Sequence, residues 1–167
     1  VATVDDGPSS ARGIVVTLHD LSARRAVEDD LRSTCRLLER HAWTDLLTGL
    51  ANRAFFDDAL ERELSRTRRH GTPTSVLLVD LDDFKRVNDG HGHDAGDELL
   101  AAVSGSLRLG LREADVLARY GGDEFCVLLA GTDAATAWAV AERVRSSVGA
   151  LRSGARGELH VTTSIGL

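Results

Sequence analysis

The sequence predicts an α+β fold, a ferredoxin-like sheet with flanking helices, preceded by a separate charged helix. Three observations predict it. A continuous apolar run, Ser75-Val76-Leu77-Leu78-Val79, reads as a central buried strand. Two further apolar runs, 115–120 and 124–130, flank Gly121-Gly122 and read as a hairpin with Gly-Gly at its tip. Segments of helical periodicity separate these from a last alternating stretch at 158–166, giving the order α-β-α-β-β-α-β. A β-α-β-β-α-β unit is the ferredoxin-like arrangement, with helices on one face of an antiparallel sheet.

Each element has its own justification. Asp5-Asp6-Gly7-Pro8 is a turn signal, and Gly13-Ile14-Val15-Val16-Thr17-Leu18 is a short β-branched strand. Asp20 or Ser22 can cap the helix that follows, from about 22 to 43. Val27, Leu31, Thr34, Leu38 and His41 follow 4-3-4-3 spacing on it, a heptad seam with Thr34 and His41 as weak points. Thr48-Gly49 ends that helical stretch, and Asn52 can cap the next helix, which runs to about residue 70 through Phe55, Phe56, Ala59, Leu60 and Leu64. Arg66, Arg68, Arg69 and His70 load its C-terminus with positive charge, as the helix dipole prefers. Phe84 to Asp89 reads as a short helical turn. Asp94 can cap a helix to about 109 with Leu99, Leu100, Val103 and Leu107 on its core face. Asp133 can cap a helix of about 134–150 that buries Trp138, Ala141, Val144 and Val148. Phe55, Phe84 and Phe125 are expected in the core.

Composition narrows the function. The chain is 43% hydrophobic and 28% charged, which is ordinary for a folded domain, and its net charge of −6 offers no basic field for nucleic acid. No apolar run approaches the ~18 residues of a membrane span, and no signal peptide is visible. The expected location is cytoplasmic, with the parent protein free to carry a membrane anchor elsewhere, since Val1 rather than Met suggests a piece of a longer chain. Cys35 and Cys126 fit no paired pattern and read as reduced thiols.

The chemistry gathers at two places. The buried strand ends in Asp80-Leu81-Asp82-Asp83, and an unpaired acid there is costly unless a cation relieves it. The hairpin supplies Asp123 and Glu124 beside two glycines, where bare backbone can approach a ligand. Strand alternation lets only one of those two acids face a given site. In a ferredoxin-like sheet the first strand and the hairpin are neighbours, so Asp80 comes close to Asp123. Two carboxylates, with waters and substrate phosphates, suit Mg²⁺, with Mn²⁺ as its substitute. Such ions can neutralise a triphosphate and activate a 3′-hydroxyl for attack at the α-phosphorus.

Three blocks then carry a resemblance. Asp45-x-Leu47-Thr48-Gly49-Leu50-x-Asn52-Arg53, Asp80-x-Asp82-x-Phe84-Lys85-x-x-Asn88-Asp89-x-x-Gly92-His93-x-x-Gly96-Asp97, and Gly121-Gly122-Asp123-Glu124-Phe125 resemble the GGDEF family of diguanylate cyclases. The resemblance runs from about residue 43 onward. It implies a palm-type ferredoxin variant that makes cyclic di-GMP from two GTP molecules, as a homodimer whose subunits each hold one GTP. The strand at 13–18 followed by Asp20-Leu21-Ser22 and a charged helix resembles the end of a PAS sensor domain entering its exit helix. The implied organisation is a PAS-like remnant at 1–20, a linker helix with coiled-coil character at 21–43, and a GGDEF domain at 44–167. The sensor domains of the parent protein would lie upstream. The family continues past Ser164-Ile165-Gly166 with another helix and strand, so the domain is expected to be truncated, with reduced solubility and activity.

The resemblance also implies residue roles. Asp80, the Leu81 carbonyl and Asp123 would bind metal. Asp123 would help deprotonate the attacking 3′-hydroxyl, with Glu124 as a second catalytic acid. Gly121 and Gly122 would let backbone lie near the phosphates. Asn88 and Asp97 would read the guanine edge, Lys85 would reach the phosphates beside Phe84, and His93 would sit near sugar or base. Arg112-Glu113-Ala114-Asp115, shortly before Gly121, matches the family's inhibitory Arg-x-x-Asp product site, and Arg143 could add a guanidinium from the facing subunit. Asp82, Asp83, Asp89 and Asp94 read more simply as solvated loop or cap residues, and His91 as a loop residue. A second reading of the whole is an inactive module that binds GTP or cyclic di-GMP; the intact Gly-Gly-Asp-Glu-Phe argues against it. A third is a cyclase for another purine, against which Asn88 and Asp97 argue.

Overall fold

The structure, a computed structural model, describes residues 42–154 and 159–167. The strand at 13–18, the heptad seam and Cys35 lie outside the described residues. The elements are β1 (Ala51–Asn52), α1 (Arg53–His70), β2 (Thr74–Leu81), α2 (Phe84–His91), α3 (His93–Leu109), β3 (Val116–Gly121), β4 (Glu124–Ala130), α4 (Ala134–Ala150) and β5 (Thr163–Gly166). The sheet order is β1-β3-β4-β2-β5. Without β1 this is the ferredoxin-like order, with the apolar run of β2 between the hairpin and β5. β1 pairs in parallel with β3, so the sheet is mixed. Two residues gave no periodicity from which to expect that strand.

Alternation along β2 and β4 decides which helices lie where. Leu77, Val79, Leu81, Phe125, Val127 and Leu129 face one side and pack with Leu99, Val103 and Leu107 of α3 and Val140, Val144 and Val148 of α4. Ala118, Cys126 and Leu128 face the other side, where Phe56, Ala59 and Leu60 of α1 cover them. The expectation of helices on one face therefore holds for α3 and α4, while α1 lies opposite. Phe56, not Phe55, enters the core; Phe55 is half-buried and meets the Trp43 ring edge-on at 5.9 Å. Trp138 is 61% exposed, because Ala137 and Val140 carry the apolar stripe of α4.

Among the described residues, capping follows the sequence in two of three cases. The Asn52 side chain accepts from Phe55 N–H and Asp133 from Thr136 N–H, each satisfying an N-terminal donor. Asp94 does not cap; Gly92 stands at that position and Asp94 lies in the first turn of α3, where its charge suits the dipole. The hairpin tip differs too. Gly121 still pairs with Glu124 at the end of β3, so the turn is Gly122-Asp123 rather than Gly-Gly. The last strand is shorter than expected: β5 starts at Thr163, and Leu159 bridges back to Ser153.

Candidate active site

The end of β2 and the hairpin tip meet at one sheet edge. Asp80 pairs in register with Glu124, one residue from the turn that carries Asp123. Partial burial, then the charges of Asp123 and Asp82, raise the Asp80 carboxyl above its ordinary value. Asp80 and Glu124 border a hollow of about 480 Å³ with Tyr120 and Ser164 on the face that α1 only partly covers. Burial, with the charges of Glu124 and Asp57, pushes the Cys126 thiol up to about 11 at the floor of that hollow. Among the described residues no three acid, His or Cys side chains converge as a metal cage. The donor set fits a Mg²⁺-type ion held by one or two carboxylates and completed by substrate oxygens and water.

Beyond the turn lies a cleft of about 350 Å³, lined by Phe84 and Lys85 at the start of α2, Asn88 one turn on, His93 and Asp97 of α3, and Gly122 and Asp123. These seven residues are all among those singled out from the sequence. Asp80, Leu81, Gly121 and Glu124 belong to the neighbouring acid edge instead. Gly96 makes the cleft possible. A Cβ there would fall on Asn88 Oδ1 and lie 3.2 Å from Phe84 Cζ, so only glycine lets α3 approach α2 with Asn88 in place. A larger hollow, about 730 Å³ between α1 and the hairpin strands, contains none of the predicted site residues.

Arg119 also lines the cleft, and no role was read for it in the sequence. Its Nε and Nη2 donate to the Gly122 carbonyl at 2.9 and 2.7 Å, and its Nη1 reaches Asp45 at 3.3 Å. Burial alone would raise the Asp45 carboxyl. The Thr48 hydroxyl and backbone N–H, then Arg119, bring it below its ordinary value. The signal for this role was available: an arginine two residues before the Gly-Gly, and Asp-x-x-Thr far upstream.

Asp82 corrects another expectation. It is no solvated loop acid, since Thr162 and Ser164 hydroxyls donate to its two oxygens at 2.6 and 2.7 Å. The Arg112–Asp115 loop lies before β3. Asp115 accepts from the Arg112 backbone N–H at 2.8 Å, closing the turn and leaving the guanidinium exposed. Arg143 was expected to act from a facing subunit. It reaches Gly110 of its own chain, with Nη2 donating to that carbonyl at 2.6 Å, because α4 packs along α3.

The family model for the diguanylate cyclase GGDEF domain matches residues 42–167. The chain belongs to the GGDEF family. Diguanylate cyclase DgcP of Pseudomonas aeruginosa is 41% identical over 146 residues, 85% of this chain and 22% of DgcP. Probable diguanylate cyclase DgcC of Escherichia coli K12 is 36% identical over 132 residues, 79% of this chain and 36% of DgcC. The chain thus spans a minor part of these curated relatives. Among solved structures, the coiled coil and GGDEF domain of Caulobacter crescentus DgcB in complex with c-di-GMP gives a TM-score of 0.80. It shares 31% identity and covers 87% of this chain and 78% of that one. The GGDEF fold of this chain is therefore α+β, with a five-stranded mixed sheet and flanking helices.

Proposed function

We propose that this GGDEF domain condenses two GTP molecules into cyclic di-GMP with release of two pyrophosphates. The observation that carries the reading is the juxtaposition, across the Gly122-Asp123 turn, of an acid edge and a cleft lined by Asn88 and Asp97. Asp97 and Asn88 offer acceptors to the guanine imino and amino groups, a pair of donors adenine lacks. Lys85 at the opening of α2 meets phosphate, with Phe84 as the wall beside it, and His93 borders sugar or base. Gly121 and Gly122 admit the triphosphate next to backbone.

Asp80, Asp123 and the Leu81 carbonyl would hold Mg²⁺ or Mn²⁺, which when bound supplies charge neutralisation and a more acidic 3′-hydroxyl. Asp123, with Glu124 as second acid, accepts the 3′-hydroxyl proton. The 3′-oxygen of one GTP then forms a bond to the α-phosphorus of the other, and the bond to the β-phosphate breaks as pyrophosphate leaves. The same exchange in the opposite sense closes the ring. Each chain offers one such cleft, so two chains must face each other. Arg112 and Asp115, with a second guanidinium from Arg143 of a facing subunit, would form a product site that restrains synthesis.

For the organisation of the chain, we retain a PAS-like remnant at 1–20, a linker helix at 21–43 and the GGDEF domain from 44 onward. No described helix is long and apolar enough to cross a membrane; GTP as substrate favours a cytoplasmic setting. The test is incubation with GTP and Mg²⁺ followed by chromatography for cyclic di-GMP. Binding of GTP without product would favour the regulatory-module reading instead.

A further inference from the structure

We propose that Asp82 is a positioning residue: clasped by the hydroxyls of Thr162 and Ser164, it holds the turn that presents Asp80, the Leu81 carbonyl and Lys85 to one ligand. The inference rests on the cyclase reading and assigns a role to an acid and to three hydroxyls that it does not use. Beyond the last paired residue of β2, Asp82 N–H donates to the Thr162 carbonyl at 3.0 Å. Its carboxylate takes the Thr162 and Ser164 hydroxyls at 2.6 and 2.7 Å. Thr163, between them, turns to the other face and donates its hydroxyl to the Asp80 carbonyl at 2.6 Å. Three consecutive side chains thus grip the segment 80–82.

The grip matters because the next residue is strained. Asp83 is the non-glycine residue with positive φ among those described, at +56°, and its side chain caps nothing. An L residue occupies that region only when its surroundings impose it. The next two residues are Phe84 and Lys85, the first turn of α2 and the near wall of the cleft. Freed at residue 82, the backbone at 83 would relax and carry that wall away from Asp123. Aspartate suits the position because an ionised carboxylate offers two acceptor oxygens and no donor, so both hydroxyls can donate at once. Distances of 2.6 and 2.7 Å are those of hydroxyls bound to a charged oxygen. The competing assignment makes Asp82 a metal ligand two residues along the strand from Asp80.

Four variants of the chain separate the two. An amide at 82 accepts from one hydroxyl and donates to the other, so Asp82→Asn should keep the clasp and stay close to wild type. Asp82→Ala, and Thr162→Val combined with Ser164→Ala, should each raise KM for GTP by roughly 10–100-fold, the usual effect of losing an outer support. Asp80→Asn is the control that loses synthesis. Hydrogen exchange of the Asp82 amide is read in parallel and needs no turnover. It should quicken in Asp82→Ala and in the double variant, and not in Asp82→Asn. Loss of synthesis in Asp82→Asn, with the hydroxyl double variant near wild type, would overturn the proposal in favour of a metal ligand. Unchanged exchange in Asp82→Ala would overturn it whatever the kinetics. The expected exchange pattern across the variants, with a wild-type chain that makes no cyclic product, would instead count against the cyclase reading.

Discussion

Asp45 and Arg119, 74 residues apart in the chain, form an ion pair at 3.3 Å beside the Gly122 carbonyl that Arg119 also holds. The pair ties the loop before β1 to the turn that carries Asp123. Removing the guanidinium frees that turn. Arg119→Ala should lower turnover on the order of 10²-fold, since a displacement of about 1 Å at a reacting group costs that much. Initial rates at saturating GTP are the measurement. Asp45 adds a pH signature. Its folded value is lowered, so its contribution to stability is present above the ordinary carboxylate value of about 3.9 and is lost as pH falls through the folded value. Asp45→Asn should melt below wild type at pH 7, and melting curves of the two should converge in strong acid.

Asp80→Asn and Asp123→Asn should each lose synthesis by ~10²–10³-fold or more, as removal of a transition-state charge partner does. The fold should remain. Asp80 has a raised folded value, so its charge costs stability at neutral pH, and Asn at 80 should melt at or above wild type. Circular dichroism melts beside product chromatography check both halves.

Gly96→Ala separates stability from binding. Alanine is the better helix former by about 1 kcal/mol, and Gly96 lies within α3. The new Cβ would displace the Asn88 side chain. GTP affinity, read by calorimetry with Ca²⁺ in place of Mg²⁺, should fall at least tenfold or so, the cost of one charged-group or base-edge hydrogen bond, while the crowding of buried Phe84 at 3.2 Å offsets the helix gain and the melting temperature does not rise.

Arg112→Ala should weaken binding of cyclic di-GMP and relieve inhibition, with initial rates at low product unchanged. Asp115→Ala should also weaken it, because Asp115 closes the loop on the Arg112 backbone. Calorimetry with cyclic di-GMP decides; equal affinities in wild type and Arg112→Ala would remove the site from this loop.

The parts of the fold legible in the sequence were those with long periodic signals: β2, the hairpin, α3 and α4 each emerged within a few residues. What escaped depended on packing between distant segments. β1 consists of Ala51 and Asn52, too short for any pattern, and exists because β3 lies beside it. The face that α1 covers was not encoded in its own stripe, which showed only that it had one. The cleft was legible through the resemblance to the GGDEF family, onto whose motif Lys85, Asn88, His93 and Asp97 fall by position. Arg119 and the hydroxyls at 162 and 164 were missed because each reaches an acid far away in sequence, Asp45 or Asp82, that only the fold brings close, and Gly96 because its contact with Asn88 depends on how α3 packs on α2.

The pairing of β2 with β5 has a consequence in time. Ser164 reaches Asp82 across 82 residues of chain. At ribosomal rates of ~5–20 residues per second, those residues take on the order of ten seconds to appear. From the middle of that interval a nascent chain holds Asp80, Asn88, Asp97 and Asp123, and it lacks the strand that grips the turn after Asp80. Contacts of such long sequence separation also form slowly in a free chain, because loop closure must come first. The turn that presents Asp80 and Lys85 thus stays ungripped until β5 has been made and paired, and on the cyclase reading a chain short of β5 does not spend GTP.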